Sequence, residues 1–311
     1  MTSILGYPLL LAFTILSSFI SCEAKTKILP SKIHLAGSTP GDEEIKLLLG
    51  ISPDTKIDFI RWNLILTNTK PIQQTFTLNI NYGEAQPNTL GFKNGGEKKS
   101  IDGEFTVSKG KEIMNGELYH LKSTTLPIEI LMVKLNENIF HLLTRQKQLM
   151  VGNGGWSYTL NRKQPIHTKF PLPALTVLST DNNNTLPQII FDGRTPCQPL
   201  ANEHQMNVST ACFKLKWRLI LNRDSVTGAP TTYINRKVVD NLPRDVTGKW
   251  IIIRGIQGNP DAIIYQLDPD KPTESISLLV GDENVLFFLN KEQKPYVGNS
   301  DFSFTLNKKQ E

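Results

Sequence analysis

The chain has 311 residues, of which 39% are hydrophobic and 20% are charged, and its formal net charge is +5. This length suits two ordinary domains, and the apolar share is sufficient for a packed core, which excludes a wholly disordered chain. Three cysteines exclude a disulfide-dense mini-protein and a cysteine-rich zinc array. Because the basic surplus is spread along both halves of the chain, we expect no nucleic-acid binding.

The first 22 residues differ in kind from the rest. No charged residue occurs from Ile4 to Ile20, and the apolar run Leu9–Leu16 is shorter than the roughly 20 residues that span a membrane. Because a small residue followed by Cys22 ends this segment, residues 1–22 resemble a bacterial lipoprotein signal peptide with Cys22 as the lipidation site. The alternatives are a plain secretory signal and an uncleaved anchor, and both also place the rest outside the cytoplasm.

The other two cysteines are Cys197 and Cys212. In an oxidising compartment such a pair is predicted to form a structural disulfide. In the chain-entropy model, closing a loop of about 15 residues contributes about 3 kcal/mol. The alternative is a redox-active or metal-binding pair of thiols, although the spacing is not one typical of a metal site.

The chain contains an internal duplication, because six blocks of sequence recur in the same order. Asn138–Leu143 and Val151–Asn161 correspond to Asn284–Leu289 and Val297–Asn307 at one constant offset. Nearer the front of each copy, the offset is larger, which predicts a length difference between Leu66 and Gly103. The copies occupy residues 31–163 and 189–311, and the proline-containing residues 164–188 between them are a predicted linker.

Each copy has the pattern of many short strands. β-Branched and aromatic runs of strand length alternate with turn signals, and no stretch of ten or more residues shows a helical period. The fold class is therefore predicted as all-β, with two tandem small antiparallel barrels of about eight strands each. Predicted strands of the second copy are Trp217–Leu221, Trp250–Ile253, Ile263–Leu267, Ile276–Val280, Val285–Leu289 and Phe302–Leu306, with a turn at 258–261.

The second copy resembles the N-terminal domain of NlpE-type copper-resistance lipoproteins. The resemblance rests on short motifs over about 120 residues: Phe191–Cys197, the Leu-x-Leu strand Trp217–Leu221, Gly248–Trp250, Tyr265–Leu267 and Leu286–Leu289. It implies a lipocalin-like barrel on a lipid anchor in the bacterial envelope, with a role in copper tolerance or envelope-stress sensing.

The chain departs from that family at the thiols. The second cysteine of the family's Cys-x-x-Cys would stand at Leu200, and the first copy reads Thr39-Pro40-Gly41 with no cysteine. The resemblance therefore implies the fold and the compartment but not metal binding. His204 and Met206, in the loop between the two cysteines, are the remaining candidate copper ligands.

Few other residues indicate a site. Trp62 and Trp217 occur at equivalent positions and are predicted to be core residues or the lining of a ligand cavity. The loop Gly152–Gly155 is interpreted as a turn, because no helix that would bind a phosphate is expected after it, and it aligns with Gly298–Asp301. His141 aligns with Phe287, so the copies do not share a histidine metal site.

No arrangement typical of nucleophilic catalysis occurs. The predicted function is that of a non-enzymatic bacterial envelope lipoprotein without a cofactor, facing the periplasm or the surface. It would be held to the membrane by its lipid anchor and would bind or sense an envelope protein partner or a small apolar ligand, in an envelope-stress response. The alternatives are a periplasmic copper-handling protein in copper tolerance and an envelope enzyme with a site in a barrel cleft.

Overall fold

The computed structural model describes residues 31–69, 73–109, 116–166, 186–239, 242–256 and 259–310. Within these residues the chain forms two closed antiparallel barrels of eight strands each, which confirms the predicted fold class. Each strand pairs with the next along the chain, and the last pairs with the first. The signal peptide with Cys22 and the middle of the predicted linker lie outside the described residues.

The first barrel begins at Ser31 and ends at Arg162. Side chains alternate between its interior and its outer face, as the period of a strand requires. Its strands are β1 Ser31–Pro40, β2 Phe59–Thr69, β3 Gln73–Gly83, β4 Glu97–Lys109, β5 Glu117–Lys122, β6 Ile130–Asn136, β7 Ile139–Leu143 and β8 Thr159–Arg162.

The second barrel repeats this order. Two of its strands coincide with the predicted runs Ile276–Val280 and Val285–Leu289, whereas the turn predicted at 258–261 extends too far, because Asn259 pairs with Ile256 and a strand already begins there. Its strands are β9 Gln188–Thr195, β10 Leu215–Arg223, β11 Pro230–Val239, β12 Leu242–Ile256, β13 Asn259–Leu267, β14 Ile276–Val280, β15 Val285–Leu289 and β16 Thr305–Lys308.

Two short helices, which the sequence pattern did not predict, follow the first strand of each barrel. Helix α1 (Glu43–Leu49) begins after Asp42, whose side chain accepts a hydrogen bond from the Ile45 amide, and ends at Gly50 in the left-handed conformation. Helix α2 (Gln198–Glu203) buries Leu200 in the second core. Helices of six or seven residues are too short to show a 3.6-residue period.

Glycine allows each barrel to close. A β-carbon on Gly37 would lie 2.7 Å from the carbonyl oxygen of Thr159, and one on Gly193 would lie 2.7 Å from that of Thr305. The first strand therefore approaches the last one too closely for any side chain. This contact explains why both copies carry Gly-x-Thr-Pro at this point.

The predicted length difference lies in one connection. The first barrel joins β3 to β4 through residues 84–96, whereas only residues 240 and 241 separate β11 from β12. The Phe92 ring in the longer loop stacks on Phe59, with ring centroids 4.1 Å apart. Arg61 also donates a hydrogen bond to the carbonyl oxygen of Leu90 in this loop, at 2.6 Å. The loop is thereby fixed on the outside of the first barrel.

The two barrels pack against each other through their outer faces. The contact is a buried apolar cluster, separate from the two barrel interiors, and its burial stabilises the pair. Its members are Leu118, Leu131, Val133, Leu135, Ile139, Leu143 and Leu149 of the first barrel and Ala262, Ile264, Leu279, Val285, Phe287 and Leu289 of the second.

Equivalent residues of the two copies meet at this contact. The hydroxyl oxygens of Ser157 and Ser303, which are 146 positions apart, lie at 2.5 Å, and those of Thr159 and Thr305 at 2.9 Å. Equivalent positions touch one another only where a two-fold axis passes between them. A pseudo-two-fold axis therefore relates the barrels.

Reciprocal hydrogen bonds support the same symmetry. The Asn307 side chain accepts a hydrogen bond from the amide of Gly152 at 2.7 Å, and the Asn161 side chain accepts one from the amide of Gly298 at 2.8 Å. Each asparagine reaches the equivalent loop of the other barrel. The arrangement has the self-complementary form of a symmetric dimer, here within one chain.

Candidate functional site

Trp62 and Trp217 lie in the cores of their barrels. Trp62 is 0% exposed and Trp217 is 4% exposed. Each indole donates a hydrogen bond from Nε1 to a buried threonine hydroxyl, Thr39 at 2.9 Å and Thr195 at 2.8 Å. Of the two predicted roles, the structure places both residues in core packing.

Cys197 and Cys212 form the predicted disulfide, with their Cα atoms 5.9 Å apart. Both sulfur atoms therefore belong to the disulfide. The candidate copper ligands that remain are His204 and Met206. The His204 Nε2 atom lies 3.9 Å from a carboxylate oxygen of Glu203, and burial lowers the pKa of the imidazole. Among the described residues, no group of three or more His, Cys, Asp or Glu is arranged to hold a metal ion.

The interior of the second barrel is more polar than that of the first. The residue paired with Trp62 is Ile80, whereas the residue paired with Trp217 is Lys237, whose Nζ lies 5.1 Å from the indole centroid. Burial lowers the pKa of the Lys237 ammonium. On the same strand Asn235 is 2% exposed, and its side-chain Oδ1 accepts no hydrogen bond from the described residues. Burying these polar groups costs free energy, so the interior of the second barrel contributes less to folding stability than that of the first.

The most distinctive site lies outside the barrels, where a loop of the first meets strands of the second. We call it the second seam: loop Asn153–Trp156 against Asp192, Arg194 and Lys216. Arg194 is on the outer face of β9, and its Cζ atom lies 5.2 Å from the centroid of the Trp156 ring. Trp156 stacks in turn on Phe59, with centroids 4.8 Å apart. This stack fixes the Arg194 guanidinium at the seam.

Arg194 has no counter-ion among the residues that the structure describes. Neither it nor its cross-strand neighbour Lys216 makes an ion pair or a side-chain hydrogen bond with any described residue. Burial lowers the pKa of Arg194, and burial together with the charges of Arg194 and Lys216 lowers the pKa of nearby Lys214. These three cations therefore repel one another, and the nearby Asp192 carboxylate is paired with Arg218.

Two further arginines on this face are already paired. Arg218 donates two hydrogen bonds of 2.8 Å to Asp192, and Arg236 donates two of 2.8 and 2.7 Å to Asp245. The groove between these groups has a volume of about 320 Å³ and opens to solvent. Its lining residues are Asn153, Gly154, Gly155, Asp192, Gly193, Arg194, Lys216, Trp217, Arg218, Arg236 and Val238.

The pseudo-symmetric counterpart, which we call the first seam, consists of loop Asn299–Phe302 against Ser38 and Arg61. Here Arg61 forms an ion pair of 2.5 Å with Asp301, and the Ser38 hydroxyl donates a hydrogen bond of 2.7 Å to the Ser300 carbonyl oxygen. Within the first seam, Asp301 is thus the counter-ion of Arg61.

Sequence reasoning did not single out these residues. Lys216 and Arg218 lie on β10, Arg194 lies on β9 and Arg236 lies on β11, and the pairing of β10 with both neighbouring strands brings these cations onto one face. The alignment of Gly152–Gly155 with Gly298–Asp301 shows a turn in each copy and pairs Gly155 with Asp301, but it does not show which residues the two loops face. That interpretation fits the structure, since the side-chain Oδ1 of Asn153 accepts hydrogen bonds from the amides of Gly155 and Trp156.

No family model matches the chain, and neither curated proteins nor solved structures gave a significant match. Among the described residues, no helix is long and apolar enough to cross a membrane.

Proposed function

We propose that this chain is a non-enzymatic binding protein of the bacterial envelope that holds an anionic group of its partner in the second seam. The observation that carries the proposal is Arg194, a partly buried guanidinium that is fixed on Trp156 and has no counter-ion within the described part of the chain. A buried charge costs free energy unless an opposite charge pairs with it, so the free protein retains an unmet preference for an anion. Arginine is well suited to carboxylate and phosphate groups.

The envelope location is supported by the sequence of residues 1–22 and by the disulfide, which is stable in oxidising compartments. An anionic ligand is favoured over an apolar one, because the largest buried side chains, including Trp62, Trp250 and Phe288, occupy the barrel interiors. The pairing of both thiols removes the strongest ligands that a copper site would use.

The location is tested by the intact mass of the protein purified from its native envelope. We expect the mass of a chain that starts at Cys22 and carries a diacylglyceryl group, with no alkylation of Cys197 or Cys212 before reduction. An unmodified chain would contradict the lipid anchor, and free thiols would contradict the disulfide in the native protein.

Anion binding is tested by NMR of the indole N–H groups, since the chain has four tryptophans. At low ionic strength, inorganic phosphate or citrate is expected to shift the Trp156 signal saturably and to leave those of Trp62 and Trp250 in place. Arg194→Gln is expected to weaken binding about tenfold, because the loss of a charge-assisted pair of about 1.4 kcal/mol corresponds to that factor.

The matched control is Lys98→Gln, which removes one charge from the equivalent outer groove of the first barrel. It should leave the affinity within about twofold of the wild-type value, a change worth roughly 0.4 kcal/mol. If neither anion shifts the Trp156 signal, or if both variants weaken binding equally, the second seam is not the binding site.

A further inference from the structure

The two seams occupy equivalent positions in the duplicated structure but carry different residues. Strand register makes Ser38 equivalent to Arg194 and Arg61 equivalent to Lys216, because each pair is matched across the first two strands of its barrel. The facing loops correspond as well. The Asn299 side chain accepts hydrogen bonds from the amides of Asp301 and Phe302, as Asn153 does from those of Gly155 and Trp156.

This correspondence places Gly155 where the first seam has Asp301. In the first seam the carboxylate reaches across to Arg61 of the other barrel. In the second seam the loop residue has no side chain, and the cations it faces, Lys216 and Arg194, have no partner among the described residues. The second seam therefore lacks one carboxylate that its counterpart supplies internally.

The space that a side chain at residue 155 would occupy lies next to the Arg194 guanidinium. A β-carbon built on Gly155 would lie 3.6 Å from both Cζ and Nη1 of Arg194. Gly155 is not among the glycines with positive φ, so its backbone accepts a side chain, although the β-carbon would lie 3.1 Å from the side-chain Oδ1 of Asn153, which must shift slightly. A carboxyl group one bond beyond that β-carbon would be within hydrogen-bond distance of Arg194.

We propose that the anion taken by the second seam is a single carboxylate, the side chain of an aspartate or glutamate in a protein partner. This inference rests on the proposed function and adds the identity of the group. Asp192 and Asp245 already neutralise Arg218 and Arg236. The positive charge that remains available to a ligand is therefore small and local. In the equivalent first seam the carboxylate also belongs to a loop aspartate, Asp301. Beside it, the main-chain oxygen of Ser300 accepts a hydrogen bond from the Ser38 hydroxyl.

The first test supplies the carboxylate within the chain. Gly155→Asp is expected to raise the midpoint of thermal unfolding by about 1–3 °C, as a newly formed, partly buried ion pair would. The neutral control Gly155→Asn has nearly the same shape and should give no such rise. The gain should disappear when Gly155→Asp is combined with Arg194→Gln. Equal midpoints for the aspartate and asparagine variants would overturn the inference.

The second test uses a blocked peptide with the sequence of residues 298–303, Gly-Asn-Ser-Asp-Phe-Ser, and a matched peptide with asparagine in place of aspartate. The wild-type chain should bind the aspartate peptide at least about tenfold more tightly than its control, and Gly155→Asp should lose that preference. Citrate should compete with the peptide.

The outcomes separate the two proposals. If inorganic phosphate shifts the Trp156 signal but neither citrate nor the aspartate peptide does, the seam binds anions and the carboxylate inference is wrong. If citrate binds and the peptide does not, the carboxylate comes from a small molecule and the protein partner is wrong. If no probe binds, both the inference and the proposed function are overturned.

Discussion

Replacing Trp62 with alanine is expected to lower the free energy of unfolding of the first barrel by about 3–5 kcal/mol. The indole is fully buried among the aliphatic side chains of that core, so its removal leaves a large cavity. It also leaves the Thr39 hydroxyl, which is 0% exposed, without its donor. The measurement is hydrogen exchange of the slowest amides in β2 and β3, which reports the opening of this barrel alone.

Trp62→Phe is the control, since it keeps most of the apolar volume and removes the hydrogen bond. It should cost about 1–3 kcal/mol, the range for a buried polar group left unsatisfied. If Trp62→Ala instead costs less than about 1 kcal/mol, the ring lines an unfilled space, and the ligand-cavity interpretation of the two tryptophans would replace core packing.

The free energy of unfolding is expected to decrease by about 3 kcal/mol as the pH falls from 6.5 to 4, because His141 stays neutral in the folded chain and binds a proton in the unfolded chain. His141 is fully buried at the pseudo-two-fold axis, where its ring meets Phe287 edge to face. Burial lowers the pKa of the imidazole from 6.5 to about 4, and the hydrogen bond that Nε2 donates to the Met150 carbonyl oxygen offsets only part of this effect.

The sign follows from which state binds the proton. Below pH 6.5 the unfolded chain protonates this histidine while the folded chain holds it neutral, so stability is lost until the pH reaches the folded pKa. Asp282 acts in the opposite sense in nearly the same range, because burial raises its pKa to about 6. The pH dependence of the wild-type stability alone therefore does not give the contribution of His141.

The measurement is consequently a difference between the wild-type chain and His141→Gln, each unfolded with urea at pH 7, 5.5 and 4. Glutamine keeps hydrogen-bonding capacity and does not titrate. The stability of the wild-type chain relative to the variant should decrease by about 3 kcal/mol over this range. A constant difference would show that His141 is not held neutral.

Much of the architecture was predictable from the sequence because the chain repeats itself. The recurring blocks around Asn138 and Asn284 identified two similar domains, and strand-length runs such as Val285–Leu289 predicted their class. Helix α1 was missed even though Asp42 and Gly50 are suitable capping residues, since seven residues between them are too few to show a period. Residues 259–261 have the propensity of a turn, and propensity alone does not reveal that β13 begins at Asn259, which pairs with Ile256 of β12.

The candidate site was far less predictable. Trp62 and Trp217 were recognisable as equivalent, but only packing distinguishes a core residue from a cavity lining. Arg194 stands next to Gly193 in the Phe191–Cys197 motif on which the family resemblance rests. Its importance comes from its contact with Trp156, which depends on how one barrel docks on the other, and from the pairing of Asp192 with Arg218 instead. Such contacts between distant segments leave no local pattern in a sequence.

Because the two barrels belong to one chain, their shared contact need not be the same at both ends. In a homodimer of identical subunits, the two-fold axis would give both seams the same residues, and a change in one would appear in the other. The covalent link releases this constraint, so that Asp301 can fasten one seam while Gly155 leaves the other open. Such an asymmetric tandem would titrate with a stoichiometry of one ligand per chain and without cooperativity, whereas its symmetric equivalent would present two identical sites or none.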